Sequence, residues 1–201
     1  LKYIKYIMVC VMVFLLAGCQ SNEHNQVEVK MKSEEELKKI ANTYTYDDYK
    51  RVFDDVISEA EGLEKNEKLN KWIIRILAAE KLSYQTDLTE DQVVQLAEKA
   101  MKEDNVWKSI AQEEYGISAT EKEVDTYIQT GPDTSDLPQH RAFADALALS
   151  LKELNHEFDY DIYEKEVMWL KLVPQLKKKY DSTDNNTLVE EYEEEVKKQV
   201  H

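Results

Sequence analysis

Few side chains in this sequence are arranged for covalent chemistry, and Cys19 is the strongest candidate among them. The other cysteine, Cys10, lies in an apolar N-terminal stretch, so no thiol pair is left for a disulfide, and no thiolate set for a zinc site or a nucleophile. His140 and His156 stand far apart in sequence, without an i, i+4 partner or an HExxH pattern. Asp159, Asp161, Glu164 and Glu166 have the density of a calcium loop, but no glycine supplies the sharp turn and helical periodicity continues through them. They read as the solvated start of a helix. Glu190, Glu191, Glu193, Glu194 and Glu195 surround Tyr192 near an expected helix N-terminus, where acidic side chains favour the macrodipole, and read as a charged solvent face. No spacing marks a Ser or Thr paired with His as a hydrolase dyad, and the few glycines leave no phosphate-cradling loop. The expectation is a protein without catalytic residues, cofactor or metal.

What prepares Cys19 is the segment before it. Lys2 and Lys5 form a short basic region, and Tyr6 to Leu16 form an apolar run too short for a stable membrane span. Leu16-Ala17-Gly18-Cys19 follows, and this tetrapeptide resembles the lipobox of bacterial lipoproteins. The resemblance implies a signal peptide over residues 1–18, cleavage before Cys19, and a diacylglyceryl cysteine whose palmitate-like chains hold the protein on the outer, extracytoplasmic side of the cell membrane. Two acyl chains suffice for stable anchoring where one gives only marginal binding. Residues 19–32 are polar and aperiodic after the cysteine and read as a lipidated tether, with His24 solvated within it.

The remaining chain, 33–201, reads as one all-α, irregular multi-helix domain with a docked C-terminal helix. Leu, Glu, Lys and Ala abound, whereas Gly and Pro number four and three in 201 residues, a balance that favours helices over turn-rich sheet. Ser33-x-x-Glu36 opens a short helix, and apolar residues at helical spacing give further helices over Asp47 to Glu61 and Asn66 to Tyr84. Thr89-x-x-Gln92 opens the next, Asn105 to Tyr115 forms a short one stopped by Gly116, and Thr120-x-x-Glu123 starts another that Gly131-Pro132 ends. A helix from Pro138 to Leu154 and a long one from Asp159 to Tyr180, kinked or broken at Pro174, precede the loop Asp181 to Asn186. Thr187-x-x-Glu190 then caps a last helix carrying Leu188, Tyr192, Val196 and Val200, which is too short to be stable undocked.

Within this frame, Glu114-Tyr-Gly-Ile-Ser-Ala-Thr-Glu-Lys-Glu-Val-Asp-Thr-Tyr-Ile128 resembles a segment of the SurA/PrsA-type N-terminal chaperone domain. Phe143-Ala-Asp-Ala-Leu-Ala-Leu-Ser-Leu-Lys-Glu-Leu154, Tyr163 and Trp169-Leu-Lys-Leu-Val173 are similar to later helices of that family, so the likeness spans residues 66–180. It implies a helical domain that grips unfolded or newly exported polypeptides. Family members often insert a parvulin prolyl isomerase, but the loop at Asp181 to Asn186 has no room for one and no alternating strand segments occur, so isomerase activity is not carried over.

Charge excludes one class of partner. The leader would remove two of 26 basic residues and none of 41 acidic ones, taking the formal charge from −15 to about −17. Without a basic stripe, nucleic acid is not an expected ligand, and anionic headgroups are repelled, which leaves the lipid at Cys19 as the link to the bilayer. Trp72, Trp107, Tyr127, Tyr163 and Trp169 are the candidate client-binding aromatics, because large amphipathic rings give adaptable apolar contact. The main functional expectation is a membrane-anchored chaperone-like lipoprotein. The alternative is a helical adaptor lipoprotein for one envelope protein, such as an immunity, exclusion or assembly factor. A broad apolar cleft would favour the first, a flat patch with a polar rim the second, and a pocket of converging titratable groups an enzyme.

Overall fold

The computed structural model describes residues 27–63 and 66–200. The expected signal peptide, the lipobox Leu16, Ala17, Gly18 and Cys19, and His24 all lie outside the described residues. Those residues form nine α-helices and no strand, so the protein is an all-α, multi-helix one. In order these are α1 (Glu34–Thr43), α2 (Tyr46–Glu61), α3 (Glu67–Ser83), α4 (Glu90–Glu113), α5 (Glu121–Thr130), α6 (Pro138–Ala146), α7 (Leu151–Glu153), α8 (Tyr160–Tyr180) and α9 (Asn185–Val200). A 3-10 turn, Pro132–Thr134, follows α5, and a π-helical turn, Leu154–Phe158, follows α7. None of the described helices is long and apolar enough to cross a membrane. The chain divides into two compact units between Ala100 and Met101, a point inside α4.

In the N-terminal unit, α2 and α3 pack against each other and α1 lies on α3. Tyr49, Phe53, Val56 and Ala60 of α2 are buried on one helical face, while α3 is buried around most of its circumference. Capping boxes at Ser33 and Thr45 open α1 and α2, the second by Asp48 where Glu or Gln is the usual partner. The expected tether is shorter than its sequence implies. Met31 makes an antiparallel bridge with Tyr84, the Lys32 amide donates to the Ser83 carbonyl at 2.8 Å, and the Gln85 amide donates to Lys30 at 2.7 Å. The Lys32 ammonium also donates to the carbonyls of Tyr84 at 2.6 Å and Lys81 at 3.1 Å. These are the last carbonyls of α3, which have no helical partner and carry the negative end of the dipole.

The C-terminal unit is built on two apolar clusters. Trp107, Ile110 and Ala111 of α4 pack with Met168, Leu172 and Leu176 of α8 and with Leu188, Tyr192 and Val196 of α9. Val124 and Ile128 of α5 pack with Tyr163 and Val167 of α8. The last helix is therefore docked, as its three buried positions require.

Four local features differ from the sequence reading. The two helices expected over 89–115 are one, α4, because nothing between Met101 and Asn105 breaks the backbone, and Asp104 is held at 3.2 Å by both Lys108 and Lys165. The helix expected over Pro138 to Leu154 is instead interrupted. Ala148 takes a left-handed φ of 56°, the Leu149 amide donates to Ala144, the Ala148 amide donates to Asp145, and Ser150 then opens α7 with a capping box. This is a Schellman stop with alanine where glycine is usual. Pro174 neither breaks nor ends α8; it and Leu170, whose carbonyl it leaves without a helical donor, are both exposed, so water can serve that carbonyl. Finally, α9 begins earlier than expected, and Asp184, not Thr187, caps it, accepting from the Thr187 amide and hydroxyl at 2.9 Å each. Gly116 does turn the chain after α4, at φ +65° with open space around its α-carbon.

Candidate functional site

The densest buried polar arrangement lies where the Ala148 stop and the π-helical turn redirect the chain. The π turn places Asn155 fully inside the C-terminal unit, at 0% exposure. Its amide nitrogen donates to Asp133 Oδ1 at 2.9 Å, and its carbonyl oxygen lies 2.8 Å from His140 Nε2 and accepts from the Tyr163 hydroxyl at 3.1 Å. Turning the amide over would set oxygen against the Asp133 carboxylate, so the orientation is fixed by chemistry. His140 Nε2 must then be the donor. Next in the turn, His156 places Nε2 3.0 Å from Asp133 Oδ2 and Nδ1 3.3 Å from Asp125 Oδ1. The result is one chain of polar groups, Asp125–His156–Asp133–Asn155–His140, with Tyr163 as a branch. It joins α5, the 3-10 turn, α6, the π turn and α8.

Burial lowers the pKa of His140 below the ordinary histidine value, and the neighbouring Asn155, Asp159 and Asp133 offset this only in part. Its Nδ1 is buried without a hydrogen-bond partner. Asp133 moves the other way from what its own burial would cause: hydrogen bonds from Asn155 and His156 outweigh desolvation and hold its carboxyl below the usual range. Sequence reading separated His140 from His156 and missed Asn155, Asp133 and Asp125. The fold brings all five together.

A second polar cluster ties the turn after α4 to α8 and α9. Glu195 accepts from the hydroxyls of Tyr115, at 2.7 Å, and Tyr180, and pairs with Lys179 at 2.9 Å. Burial raises the Glu195 pKa, but these donors outweigh it and keep the carboxyl ionised below its usual range. Burial and then the same carboxylate push the Tyr115 and Tyr180 hydroxyls up. Glu195 and the half-buried Glu193 therefore correct the expectation of a wholly solvated acidic face, whereas Tyr192 between them is buried with the docked helix as expected, its hydroxyl donating to the Trp107 carbonyl at 2.9 Å. The acidic run at the start of α8 is also not all solvated: Asp159 is buried, Glu164 pairs with Lys108 at 2.9 Å, and burial raises the Glu166 pKa. Among the described residues no three His, Cys, Asp or Glu side chains converge as metal ligands.

The candidate aromatics are packed into the units. Trp72 is 8% exposed in the N-terminal unit, with the Arg75 guanidinium 5.0 Å from its ring. Trp107 and Trp169 flank Tyr192, with ring centroids 5.1 and 6.3 Å away, and the Lys165 ammonium sits 4.9 Å from the Trp107 ring. Tyr127 and Tyr163 lie 6.2 Å apart in the other apolar cluster. Of these five, Tyr127 and Trp169 are half-buried and the rest buried. Among the described residues the exposed large hydrophobics are Tyr46, Leu137 and Leu170.

Fold and site define an all-α multi-helix protein whose C-terminal helix is docked and whose polar interior is organised around a π turn. No protein-family model, curated protein or solved structure matches the chain.

Proposed function

We propose that this chain is a membrane-anchored, extracytoplasmic, chaperone-like lipoprotein that binds unfolded or newly exported polypeptides and performs no isomerase chemistry. Cys19 is the lipid attachment point, and binding is reversible burial of client apolar segments, with no covalent step and no nucleotide. The observation that carries the reading is the return of α9. Residues resembling the chaperone domain lie in α5, α6, α7 and α8, and the four residues 181–184 bring α9 back onto the α4–α8 core. That return closes the helical unit without an inserted domain.

A second reading, a helical adaptor for one envelope protein, is favoured by the burial of the candidate aromatics, which leaves few large rings free for adaptable contact with many clients. The two differ in a measurable way. A chaperone without its lipid, residues 20–201, slows aggregation of several unrelated unfolded exported proteins in proportion to the amount added, and leaves proline-limited refolding at its uncatalysed time of about 10–100 s. Aggregation untouched at several-fold molar excess, together with one recurrent neighbour in crosslinking from intact cells, would establish the adaptor instead. Labelled fatty acid still entering Cys19→Ala would overturn the anchoring part of the proposal.

A further inference from the structure

The polar chain around Asn155 ends in a group that tolerates only one protonation state. Asn155 fixes His140 as the Nε2–H tautomer, and His140 Nδ1 is buried with nothing to accept a hydrogen from it. A second hydrogen on this ring would be a buried donor without a partner, which is costly. His156 is different, because both of its nitrogens face carboxylates, Asp133 and Asp125, and an added hydrogen there finds an acceptor.

We propose that this chain is a proton-released latch, in which acidification charges His140, parts it from Asn155, and frees α6 and the π turn from the rest of the C-terminal unit. The parts it fastens have irregular ends, a helix stopped by a left-handed alanine and a turn with π-helical hydrogen bonding, and outside the polar chain they are held by apolar contact such as Phe143 edge-on against Phe158 at 5.7 Å. The groups facing His140 are Asn155 in the π turn, Asp159 just after it and Asp133 in the 3-10 turn, with Tyr163 of α8 on the same Asn155 oxygen. The charged residues of α6 itself, Arg141 and Asp145, are exposed. The two aspartates favour a proton and burial opposes it, with burial the larger effect. Because the closed form holds His140 below its ordinary value, the open form takes up the proton first. Closure is therefore strongest above the ordinary histidine value of about 6.5 and weakens as pH falls below it.

The inference extends the extracytoplasmic reading, since a surface-exposed protein meets an acidity the cell does not buffer; the latch itself is a property of the fold and is tested separately from location. Hydrogen exchange of the full chain is followed between pH 7.5 and 5, with rates corrected for intrinsic exchange. Protection in α6 and the π turn should fall by up to about tenfold per pH unit below about 6.5, the limit for one proton taken up on opening, while α9 keeps its protection. His140→Gln, which keeps a donor for Asn155 and does not titrate, should retain the protection seen at neutral pH and lose the slope. A slope that persists in His140→Gln, or is missing from the natural chain, overturns the latch. Should the variant fail to fold, imidazole titration of the natural chain decides: His140 must titrate below the ordinary value and in step with the loss of protection, and a value at or above it refutes the proposal.

Discussion

Asn155 has no access to solvent and serves three polar partners, so its replacement orphans donors that cannot turn to water. In Asn155→Ala, His140 Nε2–H loses its acceptor and the Tyr163 hydroxyl loses its bond to Asn155, at about 1–3 kcal/mol per buried group. The expected loss is roughly 2–6 kcal/mol in the C-terminal unit, read as a lowered urea midpoint; a shift within error would mean that these bonds are not made in solution. This network was not legible in the sequence, for a physical reason. The spacing of His140 and His156 implies a position on a helix only while the helix is continuous, and the chain between them stops, restarts and widens into a π turn. Asn155 and Asp133 are types that turns and caps also use, so their identity alone does not distinguish a surface turn from a buried joint.

Some helix starts were legible from side-chain caps, although the Ser150 box lies inside what reads as one helix and Asp184 takes the place of Thr187. Ser33, Thr89 and Thr120 each accept from the residue three ahead, whose side chain returns the bond, and each opens a helix as its pattern implies. Stops were legible at Gly116 and not at Ala148, although both residues take a left-handed conformation. Glycine announces that conformation, and alanine adopts it only because the surrounding hydrogen bonds impose it. Ala148→Gly should therefore stabilise the C-terminal unit, since relief of about 1–2 kcal/mol of left-handed strain exceeds the extra chain entropy of about 0.4–1 kcal/mol. A thermal midpoint raised by a few degrees is the expected result, and a lowered one would mean that the alanine methyl is making contacts worth more than the strain. The continuity of α4 and α8 was less legible because Asn105 and Pro174 are signals for a boundary that tertiary contacts and an exposed position override.

For the molecule as a whole, the C-terminal helix is the part whose loss should be felt most widely. Removing residues 187–201 strips Leu188, Tyr192 and Val196 from the α4–α8 core, each worth roughly 1.5–3 kcal/mol at full burial, against a typical domain stability of 5–15 kcal/mol. Loss of cooperative unfolding in the C-terminal unit is expected on heating, and an unchanged transition would show that α9 adds nothing to it. At the other end, Lys30 to Lys32 are pinned beside the α3 terminus, which would set the geometry of the attachment proposed at Cys19. A chain held at Cys19 has the ten residues 20–29 between lipid and fold. Even fully drawn out at about 3.3–3.6 Å per residue, that lead reaches no farther than about 36 Å. Such an anchor would leash the protein within about a domain's breadth of the bilayer, and any pull on it would be taken first by the short backbone ladder that joins Lys30 and Lys32 to Gln85 and Ser83, before it reached the helices.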